Sequence, residues 1–551
     1  MKKHDDNIEY AYKLATEKLN CGKSVADFTT YESIILWWIP YIRFYYRIHS
    51  LLNKDLGIVY GHNKYIIAVY KKVEFFFDLL KMLSIMIIIK INNKFIKVRP
   101  KIPKIVVTAQ DIEWREIIDY DTNCIKKTDA FFDSILKRLS DGNTCSLIGI
   151  YPILNTAPMT SLKIYVEKLK YWYVTHKPFD VYWNINVYKK TKFSKKYFKE
   201  AFGVLKQDNL FKDVCICDEQ NYYEQINREL ETYFELSFPH IVKYIEMAKN
   251  MIDVEQPNLI LIENEYGDFQ RAIIIASKIK KVPTLAIQHG IITPTHLGYI
   301  FNKKDKEDIK KIIPDFTCVY GQYHYDLLTK NSIYDPNQVV ITGQPRYDVL
   351  HHVNRIYSKK EFFKKYRINP AHRIILWTTQ SHALSYEENI NYLKEVVVAI
   401  ENMDNATLII KQHPGEGQKY TKMIKDYLSR FGIDAIMMQK DSDTYELLFI
   451  CDLMIIKDST TAMEAIALNK PVIVLNFSGD LDVVDYVEQG VALGVYNEGI
   501  LKSTIEKLLE NDSDLKNNRK IYIEKYLYKI DGKATERVVN LIEEIIRKKR
   551  K

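Results

Sequence analysis

The hydrophobic residues of this chain follow two different patterns. Over residues 1 to about 100, apolar and charged positions recur at helical spacing, which predicts a mainly helical N-terminal region. From residue 101 onwards, short apolar runs alternate with helical segments, and this alternation is typical of parallel strands joined by helices. Pro100 and Pro103 lie where the pattern changes and predict a domain boundary there.

The apolar runs fall into two series, and each series predicts one doubly wound, Rossmann-like α/β domain. Residues 101–330 form the first predicted domain and residues 335–551 the second, with residues 1–100 as a helical extension. Ligands of such sheets bind beyond the carboxyl ends of the strands, so polar residues that follow the runs are the candidates for chemistry. The predicted strands are 105–108, 145–151, 259–262 and 284–287, then 339–342, 374–377, 407–411, 453–457 and 472–475.

Two apolar stretches in the N-terminal region raise the question of a membrane span. Residues 73–89 contain three charged side chains, which leaves a run far shorter than the roughly 20 residues a spanning helix needs. Residues 34–48 are interrupted by Pro40. We predict no span, and 34–48 is either a peripheral membrane contact or a segment buried against the first α/β domain. Its side chains include Trp37, Trp38, Tyr41, Tyr45 and Tyr46, with Arg43 and Arg47.

Composition narrows the class of protein. With 47% hydrophobic and 27% charged residues, the chain is typical of a globular protein that folds in water. A formal charge of +9 over 551 residues favours acidic ligands or anionic membranes but is too small for a dedicated nucleic-acid binder. The lysine-rich stretch 189–212 fits either a solvated helix or contact with acidic lipid head groups. Among seven cysteines, Cys215 and Cys217 are the one close pair, too few for a zinc cage.

The first candidate site follows two predicted strands of the first domain. The run 259–262 leads into Glu263 and Glu265, and the run 284–287 leads into His289. A right-handed crossover brings both strand ends to one edge of the sheet, so we expect a glutamate to approach His289. A carboxylate there can act as general base on an acceptor hydroxyl, while the imidazole orients it or holds a phosphate. The alternative is that Glu263 caps a helix and His289 is a turn residue.

The second candidate site begins where the run 407–411 ends. Lys411 and His413 precede Pro414, Gly415 and Gly417, which let the backbone approach a ligand such as a phosphate. A charged surface turn would have the same composition.

A Ser/Thr cluster extends this second site. After the run 453–457, Ser459, Thr460 and Thr461 start a helix, whose N–H groups and dipole suit a diphosphate. Glu464, in the first turns of that helix, can accept hydrogen bonds from both hydroxyls of a ribose. An ordinary helix cap is the alternative, but the His413 loop one crossover earlier favours a nucleotide site.

Five motifs occur in order between about residues 255 and 480. The series resembles nucleotide-sugar glycosyltransferases of the GT-B fold, in particular capsule and surface-polysaccharide enzymes such as polysialyltransferases, Kdo transferases and CDP-glycerol glycerophosphotransferases. The resemblance implies an α/β protein whose two Rossmann-like domains face each other across a cleft. The motifs are Glu265-Tyr-Gly, Gln288-His-Gly, Gly343-Gln-Pro-Arg-Tyr-Asp, Lys411-Gln-His-Pro and Asp458-Ser-Thr-Thr with Glu464-Ala.

The resemblance also implies roles for the candidate residues. Glu265, or Glu263, matches the acidic residue that acts as base, and His289 matches a histidine proposed as base in the glycerophosphotransferases. His413 matches the histidine that binds donor phosphate. The element that holds diphosphate and ribose is matched by Ser459, Thr460 and Glu464.

We therefore predict an enzyme, a glycosyltransferase that moves a sugar from a nucleotide-activated donor to a surface polysaccharide or lipid-linked glycan. One alternative is a UDP-N-acetylglucosamine 2-epimerase, for which Asp-Ser-Gly-Gly would be expected in place of Asp458-Ser-Thr-Thr. A CDP-glycerol-type glycerophosphotransferase is another. A non-catalytic glycan-binding or membrane-binding scaffold is disfavoured by the intact Glu265, His289, His413 and Glu464.

The resemblance implies no metal and no other cofactor, with the nucleotide sugar as substrate. Expected partners are this donor, a glycan or lipid-linked acceptor and an anionic membrane surface, but no nucleic acid. The polar start of the chain lacks the apolar core of a signal peptide. We expect a cytoplasmic protein, peripheral at the inner face of the cell membrane if its aromatic residues bind lipid.

Overall fold

Residues 2–52, the described part of the N-terminal region, are mainly helical, as predicted. The computed structural model describes residues 2–52, 102–108, 113–120, 122, 124–142, 144–152, 164–171, 173–381, 384–401, 403–413, 415–479 and 482–550. The apolar stretch 73–89 lies outside the described residues. Helices Lys2–Thr16 and Tyr41–Leu52 flank a hairpin of Thr30–Tyr31 and Ile34–Ile35. Pro40 directly precedes the second helix, where a missing N–H leaves no helical hydrogen bond unmade.

The aromatic residues of 34–48 are mostly core residues, so their interpretation as a membrane contact is wrong. Trp37, Trp38, Tyr41 and Tyr45 are all buried, whereas Tyr46 is 61% exposed. They belong to the hydrophobic core that also contains the outer helices of the first α/β domain. Large aromatic side chains stabilise the fold most where they are removed from water, and packing against the first α/β domain removes these from water.

A seven-stranded, wholly parallel sheet forms the first Rossmann-like domain. Numbered along the chain, its strands have the spatial order 7-6-5-4-1-2-3, a doubly wound arrangement with its switch point between strands 1 and 4. The inner strands are largely apolar because helices cover both faces of the sheet, whereas the edge strand Thr175–Pro178 is polar and partly exposed. In spatial order the strands are Val339–Ile341, Phe316–Val319, Thr284–Ile287, Leu259–Glu263, Lys104–Thr108, Ser146–Tyr151 and Thr175–Pro178.

The second Rossmann-like domain has a six-stranded parallel sheet. Its strands, numbered within the sheet, follow the spatial order 3-2-1-4-5-6. Separate hydrophobic cores lie on its two faces. In spatial order the strands are Ala435–Met438, Ala406–Lys411, Arg373–Thr378, Leu453–Ile456, Val472–Leu475 and Leu493–Val495.

Two segments assigned by sequence to the second domain belong structurally to the first sheet. Strand Val339–Ile341 pairs with Phe316–Val319 as the edge strand of that sheet. The last helix, Ala534–Arg550, packs with helix Asp133–Asp141 on one face of it. The prediction of 335–551 as one domain was wrong here, because an apolar run or helix face does not specify which sheet it covers.

The chain passes from the first domain to the second through a connector, residues 342–352. The last helix is hydrogen-bonded to this connector. Both carboxylate oxygens of buried Asp348 accept hydrogen bonds, from the backbone N–H groups of Ala534 and Thr535, each at 2.8 Å. Arg537 Nε donates to the carbonyl of Thr342 at 2.7 Å. Gly343 takes a positive φ of 76° beside this arginine, a conformation that other residues rarely adopt.

Among the described residues, the remaining elements are helices that cover the sheets and two further small hairpins. Within the described residues, no helix combines the length and the apolar character needed to cross a membrane. The other two hairpins are Trp114–Asp119 with Cys124–Asp129 and Ile216–Cys217 with Gln220–Asn221. The other α-helices are Ile185–Gln207, Asn209–Val214, Tyr223–Thr232, Phe238–Glu255, Asp268–Lys280, Lys306–Ile309, Gln322–Asn331, Val353–Ile356, Lys359–Tyr366, Tyr386–Glu401, Gln418–Phe431, Thr444–Ile450, Thr461–Ala467, Leu501–Glu510 and Ser513–Tyr522.

Gly321 permits a close backbone contact, and we predict that Gly321→Ala destabilises the protein. A Cβ there would lie 2.6 Å from the carbonyl oxygen of Lys525. Overpacking of this kind costs about 1–3 kcal/mol of unfolding free energy. Gly203→Ala, in helix Ile185–Gln207 with open space around it, is the control and should stabilise by about 0.5–1 kcal/mol. Denaturant unfolding of both variants tests this, and equal stabilities would contradict it.

Candidate active site

Glu263 and His289 meet at the carboxyl edge of the first sheet. Glu263 ends strand Leu259–Glu263, and His289 follows the neighbouring strand Thr284–Ile287. His289 Nδ1 lies 3.4 Å from Glu263 Oε1, with Glu263 fully buried and the His289 side chain 29% exposed. The ring of Phe131 lies beside the imidazole, with centroids 5.6 Å apart. A buried carboxylate thus contacts an imidazole that solvent and substrate can reach.

Glu265 points into the first domain instead. Asn264 has a positive φ of 52°, so the chain turns between the two glutamates and they do not share one side. The carboxylate of Glu265 is buried and accepts a hydrogen bond from the Tyr299 hydroxyl at 2.9 Å. Burial raises the pKa of Glu265 to about 7. Of the two predicted glutamates, Glu263 is the one in contact with His289.

Two more carboxylates surround this pair. Ligand atoms of Glu113, Glu263 and His289 lie within 4.8 Å of one another, the one such grouping suited to a metal ion among the described residues. Burial, and then the charge of Glu263, raise the pKa of Asp129 to about 7. Arg115 Nη2 lies 2.8 Å from Glu113 Oε2, so a guanidinium already supplies positive charge to this cluster.

Lys411 and His413 both stabilise the loop after strand Ala406–Lys411. Lys411 is buried and donates to the backbone carbonyls of Gln412 and Lys440. Burial lowers its pKa to about 8. His413 is exposed, and its Nδ1 accepts a hydrogen bond from the N–H of Gly415 at 3.1 Å. The imidazole therefore remains at the surface of the loop, where a ligand can reach it.

The Ser/Thr cluster starts a helix, as its composition indicated. Ser459 Oγ donates to Thr461 Oγ1 at 2.9 Å and accepts from the Thr461 N–H at 3.2 Å. Thr460 is the residue directly before helix Thr461–Ala467. Glu464 is buried on this helix, and burial raises its pKa to about 6, against the lowering effect of Arg346. Arg346 Nη2 lies 3.6 Å from Glu464 Oε1.

Several site residues were missed by sequence reasoning. Arg346 stands within the quoted Gly343 motif, but no role was assigned to it. Glu416 accepts hydrogen bonds from Thr379 Oγ1 and the Ser381 N–H, both at 2.7 Å, and so joins two loops at this edge of the sheet. Gln380 Oε1 accepts a hydrogen bond from the Asp458 N–H at 2.8 Å and so joins a third loop to these two. No sequence signal indicated these bonds, because they link residues far apart in the chain.

The two groups of residues interact across a cleft between the domains. The charge of Arg115, in the first domain, acts on both Glu464 and Lys411 in the second. Tyr320, after strand Phe316–Val319, donates to the His289 carbonyl at 3.0 Å and accepts from Gln344 of the connector at 2.8 Å. The cleft therefore has an imidazole and carboxylates on one side and nucleotide-suited loops on the other.

Comparisons with known proteins agree with this architecture. The family model for CDP-glycerol:poly(glycerophosphate) glycerophosphotransferase matches residues 186–544. UDP-GlcNAc 2-epimerase from Neisseria meningitidis, bound to UDP-GlcNAc, is similar in structure with a TM-score of 0.50 and 14% identity, over 80% of this chain and 99% of that one. This likeness shows the two-domain fold, GT-B, which transferases and epimerases share.

More distant structural neighbours include a glycosyltransferase from Rickettsia africae, with a TM-score of 0.45, 12% identity and coverage of 81% of this chain and 100% of that one. The wall teichoic acid polymerase TagF has a TM-score of 0.39 and 13% identity, over 81% and 89% of the two chains. No curated protein matches the sequence.

Glu265→Gln should remove part of the pH dependence of stability. The folded-state pKa of Glu265 is raised to about 7, so its stabilising effect is present at low pH and is lost as pH rises through that value. Glutamine cannot ionise, so the melting temperature of the variant should rise relative to that of the wild type as the pH is raised from about 5 to about 8. Differential scanning fluorimetry checks this, with the exposed Glu510→Gln as control. A difference that does not change with pH would contradict it.

Proposed function

The chain belongs to the CDP-glycerol:poly(glycerophosphate) glycerophosphotransferase family, and from that premise we propose that it transfers glycerophosphate from CDP-glycerol to a hydroxyl of a polymer acceptor. Transfer from a nucleotide-activated donor, the broader prediction from sequence, is a property of this family. The choice of glycerophosphate rather than a sugar as the transferred group is our proposal.

The observation that carries the proposal is the 3.4 Å contact between His289 and Glu263 at the cleft. His289 accepts the proton of the acceptor hydroxyl, whose oxygen attacks the glycerol-bearing phosphorus of the donor. The new P–O bond forms as the bond to the CMP phosphate breaks, and CMP leaves with that electron pair. Buried Glu263 orients the imidazole and stabilises its protonated form. We propose His289 as base and Glu263 as its partner.

The second domain supplies the proposed nucleotide site. His413 and the hydroxyls of Ser459, Thr460 and Thr461 bind the diphosphate, because they lie on loops at the carboxyl edge of a parallel sheet. Lys411 adds positive charge from beneath the loop. Glu464 binds the ribose hydroxyls, held in place by Arg346 at 3.6 Å. The proposed mechanism uses no metal ion and no cofactor.

The proposed acceptor is a glycan or lipid-linked polymer of the cell envelope, such as a capsule or other surface polymer. A cytoplasmic enzyme that extends such an acceptor works beside the inner face of the membrane, and no nucleic acid is involved. If a nucleotide sugar is the donor instead, the same base and loops serve glycosyl transfer, and the leaving group differs.

We predict that donor hydrolysis separates these donors and assigns the residues. Wild type should release CMP from CDP-glycerol faster than it releases nucleotide from UDP-, GDP-, dTDP- or CMP-linked sugars. Glu263→Gln and His289→Ala should lower that rate by about 100-fold or more with CMP affinity nearly unchanged. His413→Ala should weaken CMP binding by about 1–3 kcal/mol, the effect of an unpaired polar partner.

The matched control is Glu265→Gln, which changes a glutamate two positions away that does not contact His289. It should keep turnover close to wild type. If Glu265→Gln loses activity and Glu263→Gln does not, Glu265 is the base after all. If a nucleotide sugar is hydrolysed and CDP-glycerol is not, the transferred group is a sugar.

We propose helix Ile185–Gln207 as the contact with an anionic membrane. One face of this helix is buried on helix Phe238–Glu255. Its other face exposes lysines together with Phe193 at 72% and Ile185 at 58%. Cationic side chains beside exposed apolar ones are suited to a bilayer interface. The exposed lysines of this helix include Lys189, Lys192, Lys195, Lys196 and Lys199.

Reversing charge on this helix should therefore weaken membrane binding. A variant with Lys192→Glu, Lys195→Glu and Lys199→Glu should remain in the supernatant when phosphatidylglycerol vesicles are sedimented, whereas wild type should be in the pellet. The reason is that each lysine near an anionic membrane contributes about 1 kcal/mol to the binding free energy. The control is the same change of charge at exposed Lys507, Lys516 and Lys520 of the second domain. Equal binding by both triple variants would reject this surface.

A further inference from the structure

A β-hairpin of the first domain, Trp114–Asp119 with Cys124–Asp129, lies outside the residues that the family model matches, 186–544. It follows strand Lys104–Thr108 of the central sheet. Buried Trp114 anchors its base in the first domain, where its ring meets Tyr171 edge to face with centroids 5.0 Å apart.

The far end of the hairpin rests on the second domain. Tyr120 stacks on the His352 ring, with centroids 5.1 Å apart and an interplanar angle of 17°. Arg355 donates a hydrogen bond to the Tyr120 carbonyl, and Ile118 packs against the hydrophobic core of the second domain. The hairpin therefore bridges the cleft, with Trp114 buried in the first domain and Ile118 and Tyr120 packed against the second.

Arg115 directly follows Trp114, near the base of this hairpin on the first-domain side. Its guanidinium binds Glu113 at 2.8 Å, and Glu113 lies within 4.8 Å of both Glu263 and His289. The Arg115 side chain is 45% exposed, so it remains open to a ligand. Its charge also makes a minor contribution to the pKa values of Glu464 and Lys411 in the second domain, where burial is the main cause of each shift. One arginine is thus close to the proposed base and electrostatically coupled to the proposed nucleotide loops.

We propose that Arg115 binds the transferred phosphate of the donor across the cleft. This inference rests on the proposed function, since it assigns the phosphate that His289 and Glu263 act upon. During phosphoryl transfer, charge is spread over the equatorial oxygens of that phosphate, and a guanidinium can donate to two of them at once. Glu113 holds the arginine in position before the donor arrives.

A purely structural role for the Arg115–Glu113 pair explains less. The two residues are two apart in one chain segment, and Glu113 is buried while Arg115 is 45% exposed. The desolvation of a buried carboxylate offsets much of its attraction to a cation, so the pair is weak evidence for a stabilising role. The hairpin is already held by its ladder, by Trp114 and by Tyr120. Binding of the transferred phosphate explains why a cation is held close to the proposed base.

Calorimetry with CMP, CDP and CDP-glycerol tests the assignment, because CMP lacks the transferred phosphate. Arg115→Ala should bind CMP as wild type does but bind CDP and CDP-glycerol about 10-fold more weakly. Its kcat/KM for CDP-glycerol hydrolysis should fall by about 100-fold, the effect of losing one donor to a developing anion. Arg115→Lys should recover only part of this loss, because an ammonium group lacks the two-pronged geometry.

Lys127→Ala is the matched control. In the strand register of the hairpin, Lys127 lies opposite Glu116 and Arg115 lies opposite Thr128. The two cations are therefore on opposite faces of the hairpin. The control should match wild type in binding and turnover, and all variants should remain folded, which a cooperative thermal unfolding transition checks. Wild-type values of CDP-glycerol affinity and turnover in Arg115→Ala would overturn the inference. If wild-type protein binds no cytidine nucleotide, the proposed function itself fails, whatever Arg115 does.

Discussion

The geometry of the cleft depends on one buried carboxylate, that of Asp348. It accepts hydrogen bonds from two backbone N–H groups at the start of the last helix, each at 2.8 Å, and so joins the connector to a helix that covers the first sheet. Charged acceptors of helix N–H groups make strong hydrogen bonds, and removing a buried one leaves donors without partners. The chain crosses between the domains twice beside this residue, and the relative position of the two sheets follows from that clamp.

With the sheets held this way, buried carboxylates line both sides of the cleft. Glu263 ends a strand of the first sheet, and Glu464 lies in the helix that follows a strand of the second. Both are removed from water, where an isolated charge is unfavourable. Each has a basic group nearby: His289 at 3.4 Å from Glu263 and Arg346 at 3.6 Å from Glu464. Such pairs contribute little to stability when their desolvation is counted, so their presence at this place is better explained by chemistry than by folding.

Residues outside the family match contribute to the same cleft. The hairpin that carries Arg115 precedes the matched residues 186–544, yet its residues Ile118 and Tyr120 pack against the second domain. The N-terminal aromatic residues have a different role: Trp37 and Trp38 are buried and extend the hydrophobic core of the first domain. Parts of the chain before the match therefore serve both the core of the first domain and the site between the domains.

The sequence by itself determined the fold class and the chain positions of the candidate loops. Continuous apolar runs identify parallel strands because both faces of such a sheet are covered, and polar residues after a run must then lie at the ligand edge. Tertiary structure alone decided that Glu263 and not Glu265 contacts His289, because a single positive φ at Asn264 turns the chain. It also decided that Val339–Ile341 and the last helix join the first sheet, and that Arg115 reaches the cleft. These outcomes depend on contacts between residues distant in the chain, which local periodicity and spacing do not encode.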